Sequence, residues 1–344
     1  MKLTDTLAKI LQENSINHVF GLQGGAVVHI FDSIEKKKIG VTYTNHEQSA
    51  ALAAVANAKC NQNIGCAIVT TGPGCTNAIT GLMAAWQDSI PCLFISGQSR
   101  SQHTSYGKKV RQVGTQEVNI CDIVKPLTKY SKFINDKSKF VFEVRKAISI
   151  AKNGRPGPVW IDIPLEFQWS DIKFKKSKKS INSKMELKTN SFKKYLKNSK
   201  KPLLILGHGL RTSNNGINNI KKFIRIKKIP FVTTWNSADI FPTKHQLNLG
   251  IIGMSGQRGA NKAIFSSDLI ICLGTHLSIP HTTTLYENYA PSAKKIIVNI
   301  DKDQMKNLNV KFDLKIPTDV GEFLKIILNK QYKFNNLWKN CKIL

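Results

Sequence analysis

Residues 65–98 read GCAIVTTGPGCTNAITGLMAAWQDSIPCLFISGQ, and this stretch decides the fold. An apolar run over Cys66–Thr71 is followed by a helical pattern over Pro73–Trp86 and by a second apolar run over Cys92–Gly97. Short continuous apolar runs are typical of strands buried on both faces, and a helix between two such strands makes the crossover of a parallel sheet. The stretch therefore predicts one strand–helix–strand unit of an α/β fold.

The same alternation extends on both sides of this unit. It predicts strands over His18–Leu22, Ile39–Thr44 and Val159–Ile163. It also predicts helices over Thr4–Ser15, Ala26–Ser33, His46–Cys60 and Phe140–Lys152, with a long loop after the strand that ends at Gly97. Strand and helix in strict alternation predict a parallel sheet covered on both faces, so residues 1–168 form one doubly wound domain.

A second alternation begins after a polar stretch. From Ser170 to Lys201 the chain is dominated by Lys, Ser and Asn, and residues 169–189 are predicted to be an exposed basic linker. Residues 190–330 then predict a second, Rossmann-like α/β domain. Its strands are predicted at Leu203–Leu206, Phe231–Thr234, Asp268–Leu273 and Lys295–Asp301, and its helices at Ile217–Ile226, Arg258–Ser266 and Thr318–Leu328. Residues 331–344 contain aromatic side chains in a polar tail, which predicts that they lead toward a further domain.

Composition bounds the class of protein. The chain has 41% hydrophobic and 21% charged residues, as globular proteins do. It lacks an apolar run long enough to span a bilayer and a signal-peptide pattern, so a cytoplasmic location without membrane contact is expected. Its seven cysteines are scattered without a C-x-x-C pair, which argues against zinc and disulfides and favours a reducing compartment.

The formal charge of +29 raises nucleic acid as a partner. However, only seven of the 51 basic residues are Arg, which dominates specific recognition of phosphates and bases, and the lysines are spread along the whole chain. We interpret the charge as a solvated surface that binds no specific nucleic acid but binds polyanions at low salt.

Three segments that join a strand to a helix hold the candidate chemistry: Gly24-Gly25-Ala26, Asn45-His46-Glu47-Gln48 and residues 72–77. Ligands of doubly wound sheets collect at the carboxyl ends of the strands, so all three should lie on one rim. Each segment also has a purely structural interpretation. Asn45 and Gln48 form a capping-box pattern around an acid favoured by the helix dipole, and Pro73 is common at a helix start. No P-loop pattern occurs in the chain.

Six motifs in order resemble the pyrimidine-binding domain of the acetolactate synthase family of thiamine-diphosphate enzymes. They are residues 20–26 (FGLQGGA), 45–48 (NHEQ), 70–77 (TTGPGCTN), 88–98 (DSIPCLFISGQ), 116–118 (QEV), and 154–158 (GRPGP) with 161–164 (IDIP). The second domain is similar to the central domain of that family through Gly207-His208-Gly209, residues 230–234, residues 249–253 and the strand over residues 268–274.

The resemblance implies a set of site residues and a reaction. Glu47 matches the glutamate that hydrogen-bonds to the aminopyrimidine of thiamine diphosphate and relays its protons. Gly24, Gly25 and Ala26 match the segment along the cofactor, and Gly25 is assigned with Glu47 and Gln116 to the catalytic group. Pro73 and Asn77 match the wall around the aminopyrimidine, and Gln116 matches a glutamine on the substrate side. In the family, a 2-keto acid is decarboxylated and its remainder is transferred to an acceptor carbonyl, so a 2-keto acid is the expected substrate.

The chain also departs from the family pattern. Thr115 replaces a phenylalanine, so a different acceptor pocket is expected. Residues 274–279 lack the arginine of the FAD-binding segment, and no G-x-G-x-x-G is completed after Gly207, which puts FAD in doubt. The Gly-Asp-Gly segment with later paired asparagines, which holds the diphosphate and magnesium in the family, is absent from the 344 residues, so no metal ligand is predicted here.

Three hypotheses follow from this pattern. The first is a truncated or split enzyme that is inactive alone and works as a homodimer or with a partner chain that carries the diphosphate-binding domain. The second is a catalytically dead interaction protein that retains the fold. The third is a basic nucleic-acid-binding protein. Retention of Glu47, Pro73 and Gln116 favours the first hypothesis.

Overall fold

The computed structural model describes residues 1–173, 190–283 and 286–329, and the chain divides into two compact units at residue 180. Most of the predicted linker and the predicted tail, residues 331–344, lie outside the described residues. At the start of the predicted linker, the carbonyl of Ser170 accepts from the Leu3 amide at 2.9 Å and the amide of Ile172 donates to the Met1 carbonyl at 3.0 Å. Residues 169–172 therefore pack with the first unit.

The first unit contains a parallel six-stranded sheet in the order β2-β1-β3-β4-β6-β5. Its strands are β1 (His18–Gly21), β2 (Gly40–Tyr43), β3 (Gly65–Val69), β4 (Cys92–Gln98), β5 (Tyr130–Phe133) and β6 (Val159–Pro164). Its helices are α1 (Leu3–Glu13), α2 (Val28–Lys36), α3 (Glu47–Asn61), α4 (Pro73–Asn77), α5 (Ile79–Gln87), α6 (Ile120–Val124), α7 (Phe140–Lys152) and α8 (Leu165–Gln168).

The sheet is buried on both faces because its central strands carry apolar side chains on alternate sides. On β4, Leu93 and Ile95 join the core with α1, α2 and α7, whereas Phe94 joins the core with α3, α5 and α6. Phe94 stacks on Trp160 of β6 with ring centroids 5.3 Å apart. This two-sided burial explains why the strands of the opening stretch read as continuous apolar runs.

The second unit holds another parallel six-stranded sheet, in the order β12-β11-β10-β7-β8-β9. Its strands are β7 (Pro202–Leu206), β8 (Phe231–Thr233), β9 (Asn248–Ile251), β10 (Leu269–Leu273), β11 (Lys294–Asn299) and β12 (Leu314–Pro317). Its helices are α9 (Asn190–Asn198), α10 (Gly209–Thr212), α11 (Gly216–Lys227), α12 (Arg258–Ser266), α13 (Ile279–Thr282), α14 (Lys302–Lys306) and α15 (Val320–Leu328). The strand order reverses between β7 and β10, as in a Rossmann fold.

These two sheets confirm the predicted α/β class with two doubly wound parallel domains, but several predicted elements were wrong. The single helix predicted over Pro73–Trp86 is two helices, because the amide of Ala78 bonds to the Cys75 carbonyl in a tight turn between them. The predicted long loop after β4 contains α6 and β5. Part of the polar stretch before Lys201 is helical, since Phe192 and Leu196 of α9 are buried one turn apart. Among the described residues, no helix combines the length and apolarity that a membrane span needs.

Candidate active site

Glu47 is the first residue of α3, immediately after the β2 loop that ends at His46. The imidazole Nδ1 of His46 accepts a hydrogen bond from the Gln48 amide at 3.1 Å and so caps the helix. The predicted cap at Asn45 is therefore wrong, because the side chain that reaches the free helix amides belongs to His46. Because His46 caps the helix, the Glu47 carboxyl is not used for capping and can bond to other residues at the rim of the sheet.

Glu47 is joined to the next strand–helix segment by one hydrogen bond. Its side chain is buried, and its Oε2 accepts from the Nδ2 of Asn77, the last residue of α4, at 2.9 Å. The structure thus brings together two residues predicted from separate motifs. Among the described residues, the Asn77 bond to Oε2 is the one side-chain hydrogen bond of Glu47, and Oε1 accepts none.

Two glycines allow the three rim segments to pack into one surface. A Cβ added to Gly24 would lie 2.6 Å from Cβ of Thr70, so only glycine fits against that side chain. A Cβ on Gly74 would lie 2.6 Å from Cγ2 of Thr70 and 3.2 Å from Oε1 of Glu47. Thr70, the first residue after β3, therefore packs against the segment after β1 and against Gly74 of its own segment, and the unpartnered oxygen of Glu47 lies beside Gly74.

The remaining predicted residues of this rim differ in exposure. Gly25 is exposed, and a Cβ there would meet no atom within 4 Å, so the space in front of it is open. Pro73 is exposed at the first turn of α4. Ala26 is buried, and its carbonyl accepts a hydrogen bond from Nε2 of Gln168 at 2.7 Å. This carbonyl is therefore bonded within the domain.

Gln116 reaches the rim through its backbone. Its φ is 58°, in the left-handed region, and its carbonyl lies so close to Gly72 that a Cβ on Gly72 would be 2.3 Å away. The single hydroxyl hydrogen of Thr71 is shared between this carbonyl, with a distance of 3.3 Å from Oγ1, and the closer Oε1 of Gln98, at 2.7 Å. The side chains of Gln116 and Thr115 are exposed, and among the described residues no hydrogen bond joins the Gln116 side chain to Glu47.

The sequence patterns did not single out Thr70, nor did they single out Gln98 and Asp162, the polar side chains that are linked by hydrogen bonds to Thr71. Thr70 lies within one of the quoted motifs, but its role depends on two glycines that are 50 residues apart, Gly24 and Gly74. The Oγ1 of Thr71 donates to Oε1 of Gln98 at 2.7 Å, and Nε2 of Gln98 donates to the buried carboxylate of Asp162 at 3.0 Å. Two signals in the sequence could have found this pair: both residues lie in quoted motifs, and Asp162 is a polar residue inside an otherwise apolar strand.

The loops at the rim of the second sheet are in close backbone contact at its switch point. A Cβ on Gly207 would lie 2.3 Å from the Gly274 carbonyl, so the loops after β7 and β10 touch backbone to backbone. The amide of Gly209 donates to the same carbonyl at 2.9 Å. That amide is therefore already bonded and is not available to a diphosphate.

Comparison with known protein families agrees with this architecture. The family model for the thiamine pyrophosphate enzyme N-terminal TPP binding domain matches residues 1–123, and the model for the central domain of the same enzymes matches residues 190–327. These matches define the class, namely enzymes that use thiamine diphosphate.

Relatives narrow the class. The acetolactate synthase large subunit of Cyanidium caldarium is 33% identical over 355 residues, which cover 97% of this chain and 58% of the relative. The enzyme of the same name from Lactococcus lactis is 32% identical over 334 residues, covering 92% of this chain and 55% of the relative. A probable acetolactate synthase large subunit from Methanocaldococcus jannaschii is 30% identical over 340 residues, covering 95% and 56%. The chain belongs to the acetolactate synthase family, and it spans about half the length of these curated relatives.

The residues of the first rim fit the pyrimidine end of thiamine diphosphate. Oε1 of Glu47 accepts no hydrogen bond from the described residues and lies beside Gly74, which has no side chain to cover it, so this carboxylate oxygen is available to a ring nitrogen. The described residues contain no group of three or more His, Cys, Asp or Glu side chains that could hold a metal ion.

Proposed function

We propose that the first domain supplies the pyrimidine side of a thiamine-diphosphate site that decarboxylates a 2-keto acid and transfers the remainder to an acceptor carbonyl. The observation that supports this proposal best is the placement of Glu47. Its buried carboxyl is held by Asn77 at one oxygen and presents the other beside Gly74. A fixed carboxyl with one free oxygen can hold a proton against a ring nitrogen and take it back.

When bound, thiamine diphosphate supplies the electron sink for decarboxylation, and the protein supplies orientation and proton transfer. Glu47 would exchange a proton at Oε1 with the aminopyrimidine. Asn77 would hold the Glu47 carboxyl in a fixed orientation, and Pro73 would form part of the wall around the aminopyrimidine. Gly25, with open space before it, and Gln116, with its exposed side chain, would face the substrate.

The diphosphate side of the site needs residues that the 344-residue sequence does not contain. We propose that these come from a diphosphate-binding domain, either in a second copy of a longer protein or in a partner chain. Magnesium would be held there together with the phosphates. We also propose a reducing compartment for the protein, a proposal that rests on the scattered spacing of its cysteines without a C-x-x-C pair.

We also propose that the second domain does not hold FAD as an extended dinucleotide. Two observations support this proposal. Gly207 packs directly on the Gly274 backbone, and the Gly209 amide already donates to the Gly274 carbonyl. The domain would then serve the fold and assembly of the enzyme without a redox cofactor.

The test compares Glu47→Gln with Glu143→Gln in the protein that contains this chain and a diphosphate-binding domain. Glu143 is a matched control, because it is also buried in the first turn of a helix and accepts one hydrogen bond, from Tyr130. Carbon dioxide release from pyruvate with thiamine diphosphate and magnesium should fall by about 10²–10⁴-fold in Glu47→Gln, the range for loss of a general acid–base group. Glu143→Gln should keep its activity.

Two outcomes would overturn the proposal. Equal activity of Glu47→Gln and the wild type would remove the carboxyl from the reaction. Failure of the wild-type protein to bind thiamine diphosphate with magnesium, even with a diphosphate-binding domain supplied, would favour an interaction protein that retains the fold.

A further inference from the structure

A chain of buried polar side chains runs from the middle of the first sheet to the candidate active site. It begins at Asp162 on β6, which is fully buried and lies opposite Ser96 of β4 in the parallel register. Oδ1 of Asp162 accepts from Ser96 Oγ at 2.6 Å, and Oδ2 accepts from Gln98 Nε2 at 3.0 Å. Ser96 in turn accepts from the indole nitrogen of Trp160 at 2.8 Å.

The amide of Gln98 can adopt only one orientation in this network. Its Nε2 also donates to the Val118 carbonyl at 2.9 Å, and its Oε1 accepts from the Ser99 amide at 2.9 Å. A flipped amide would place oxygen against the Val118 carbonyl and nitrogen against the Ser99 amide, losing both bonds. Oε1 is therefore fixed as an acceptor toward Thr71.

Thr71 transmits this order to the rim. Its one hydroxyl hydrogen makes a three-centre hydrogen bond, with a short arm to Gln98 Oε1 at 2.7 Å and a long arm to the Gln116 carbonyl at 3.3 Å. Gln116 has left-handed backbone geometry, which a residue other than glycine adopts only when its surroundings hold it. Gly72, whose φ is 66°, packs against the Gln116 carbonyl and begins the turn into α4.

We propose that Asp162, Gln98 and Thr71 are positioning residues that hold the backbone of Gln116 against the Gly72 turn and so set the substrate wall of the site. The proposal rests on the proposed function for its link to substrate, but the hydrogen-bond chain itself does not. None of the three side chains needs to touch the cofactor. They act by fixing the geometry of groups at the rim, where small displacements weaken substrate binding.

Thr71→Val is the sharpest test, because it removes the hydroxyl with little change of shape while Gln98 Oε1 keeps its bond from the Ser99 amide. Thr71→Ser retains the hydroxyl and should rescue. Thr128→Val is a matched control, since Thr71 and Thr128 are both 8% exposed and Thr128 donates to the backbone carbonyl of Val124 at 3.0 Å.

The first readout is hydrogen–deuterium exchange of peptides covering residues 112–119, measured on the whole chain without cofactor. Exchange should rise in Thr71→Val and stay at the wild-type level in Thr71→Ser and Thr128→Val. Wild-type exchange in Thr71→Val would overturn the proposal, whether or not the protein turns over any keto acid.

The second readout is the pair KM and kcat for pyruvate in the protein with its diphosphate-binding domain. Thr71→Val should raise KM by about fivefold, as expected for the loss of one hydrogen bond, with kcat within about twofold of the wild type. Thr128→Val should change neither constant. If Thr71→Val exchanges faster but keeps the wild-type KM, the hydrogen bonds order the Gln116 backbone without affecting substrate binding. That result would overturn the proposed effect on the substrate side of the site.

Discussion

Asp162 is a carboxyl group at a position where parallel sheets normally hold apolar side chains. Burial raises the pKa of Asp162 to about 7, and the hydrogen bonds from Ser96, Gln98 and Tyr106 offset only part of that rise. The other titratable groups that face it are the thiols of Cys75 and Cys121, whose own pKa values are raised by burial, so both stay neutral. Within the described residues, no lysine or arginine pairs with this carboxyl.

The raised pKa predicts a specific dependence of stability on pH. In the unfolded chain an Asp releases its proton near pH 4, whereas the folded chain keeps the proton on Asp162 until about pH 7. Between these values the unfolded state binds fewer protons, so the free energy of unfolding falls as pH rises and levels off above about 7. Asp162→Asn lacks this proton, so the wild type should lose stability relative to the variant by up to on the order of 4 kcal/mol across this window. Urea unfolding of both proteins from pH 4 to 8 measures the difference, and parallel profiles would contradict it.

At the scale of single residues, the sequence was sufficient to name Glu47 and Asn77, because each lies in a short motif. The structure then joins them by a 2.9 Å hydrogen bond, although their roles remain predictions. The contacts of Thr70 and Gln98 could not be predicted, because their partners come from other strands and the relevant distances are tertiary. His46 shows the same limit, since a preference for Asn as an N-cap gave the wrong capping residue.

Among the elements, α3, which begins at Glu47, packs closely against α5. Small side chains on α3 permit a close approach, and Ala50, Ala51, Ala54 and Ala58 are buried. On the other helix, a Cβ added to Gly81 would lie 2.4 Å from Cβ of Ala51. This glycine therefore lets the two helices pack with almost no space between them.

Gly81→Ala tests how much that close packing matters. A helical glycine replaced by alanine gains about 1 kcal/mol from helix propensity, but forcing a methyl group into a packed contact costs about 1–3 kcal/mol. We expect a net loss of about 1 kcal/mol in the free energy of unfolding by urea titration. Thr80→Ala, exposed on the same helix, should be neutral or slightly stabilising. A stabilised Gly81→Ala would show that α3 can move away at no cost.

Three of the four edge strands are among the elements that sequence patterns missed, and β2 is the exception. The strands β5, β9 and β12 are each four residues long; β5 and β9 are half-buried, and β12 has two exposed residues. Edge strands lack the continuous apolar run of a central strand, because only part of their surface contacts the core. The buried central strands, in contrast, were all predicted from their apolar runs, with ends that differ by one or two residues.

The loops of the second sheet predict that the protein carries no flavin. With Gly207 packed on Gly274 and the Gly209 amide already bonded, a dinucleotide would have to separate the two loops. Protein purified with added FAD should therefore lack flavin absorbance after gel filtration, and FAD should not raise its melting temperature. A stoichiometric flavin, with quenched fluorescence on binding, would contradict this prediction and would require the β7 and β10 loops to rearrange.

At the scale of the whole molecule, the basic charge lies on many solvated faces of the two units. Helix α9 carries Lys193, Lys194 and Lys197 without an acidic residue, and α11 carries Lys221 and Lys222 likewise. The apolar sides of these helices are buried in the core of the second sheet, so the lysines are what remains facing water. Such helices need no ligand to explain their sequence, since an amphipathic surface helix is polar on its outer face.

A net charge of +29 nevertheless predicts measurable attraction to polyanions. Binding by lysines to phosphates releases counterions, so its affinity should fall steeply as salt rises, and it should not depend on base sequence. We expect the chain to bind a fluorescent DNA duplex at low ionic strength, with a shuffled duplex binding equally, and to release both at physiological salt. Affinity that survives physiological salt, or that distinguishes the two duplexes by tenfold or about 1.4 kcal/mol, would instead identify a built nucleic-acid surface. In that case the charge would be functional, and the assignment of the chain to cofactor chemistry alone would be incomplete.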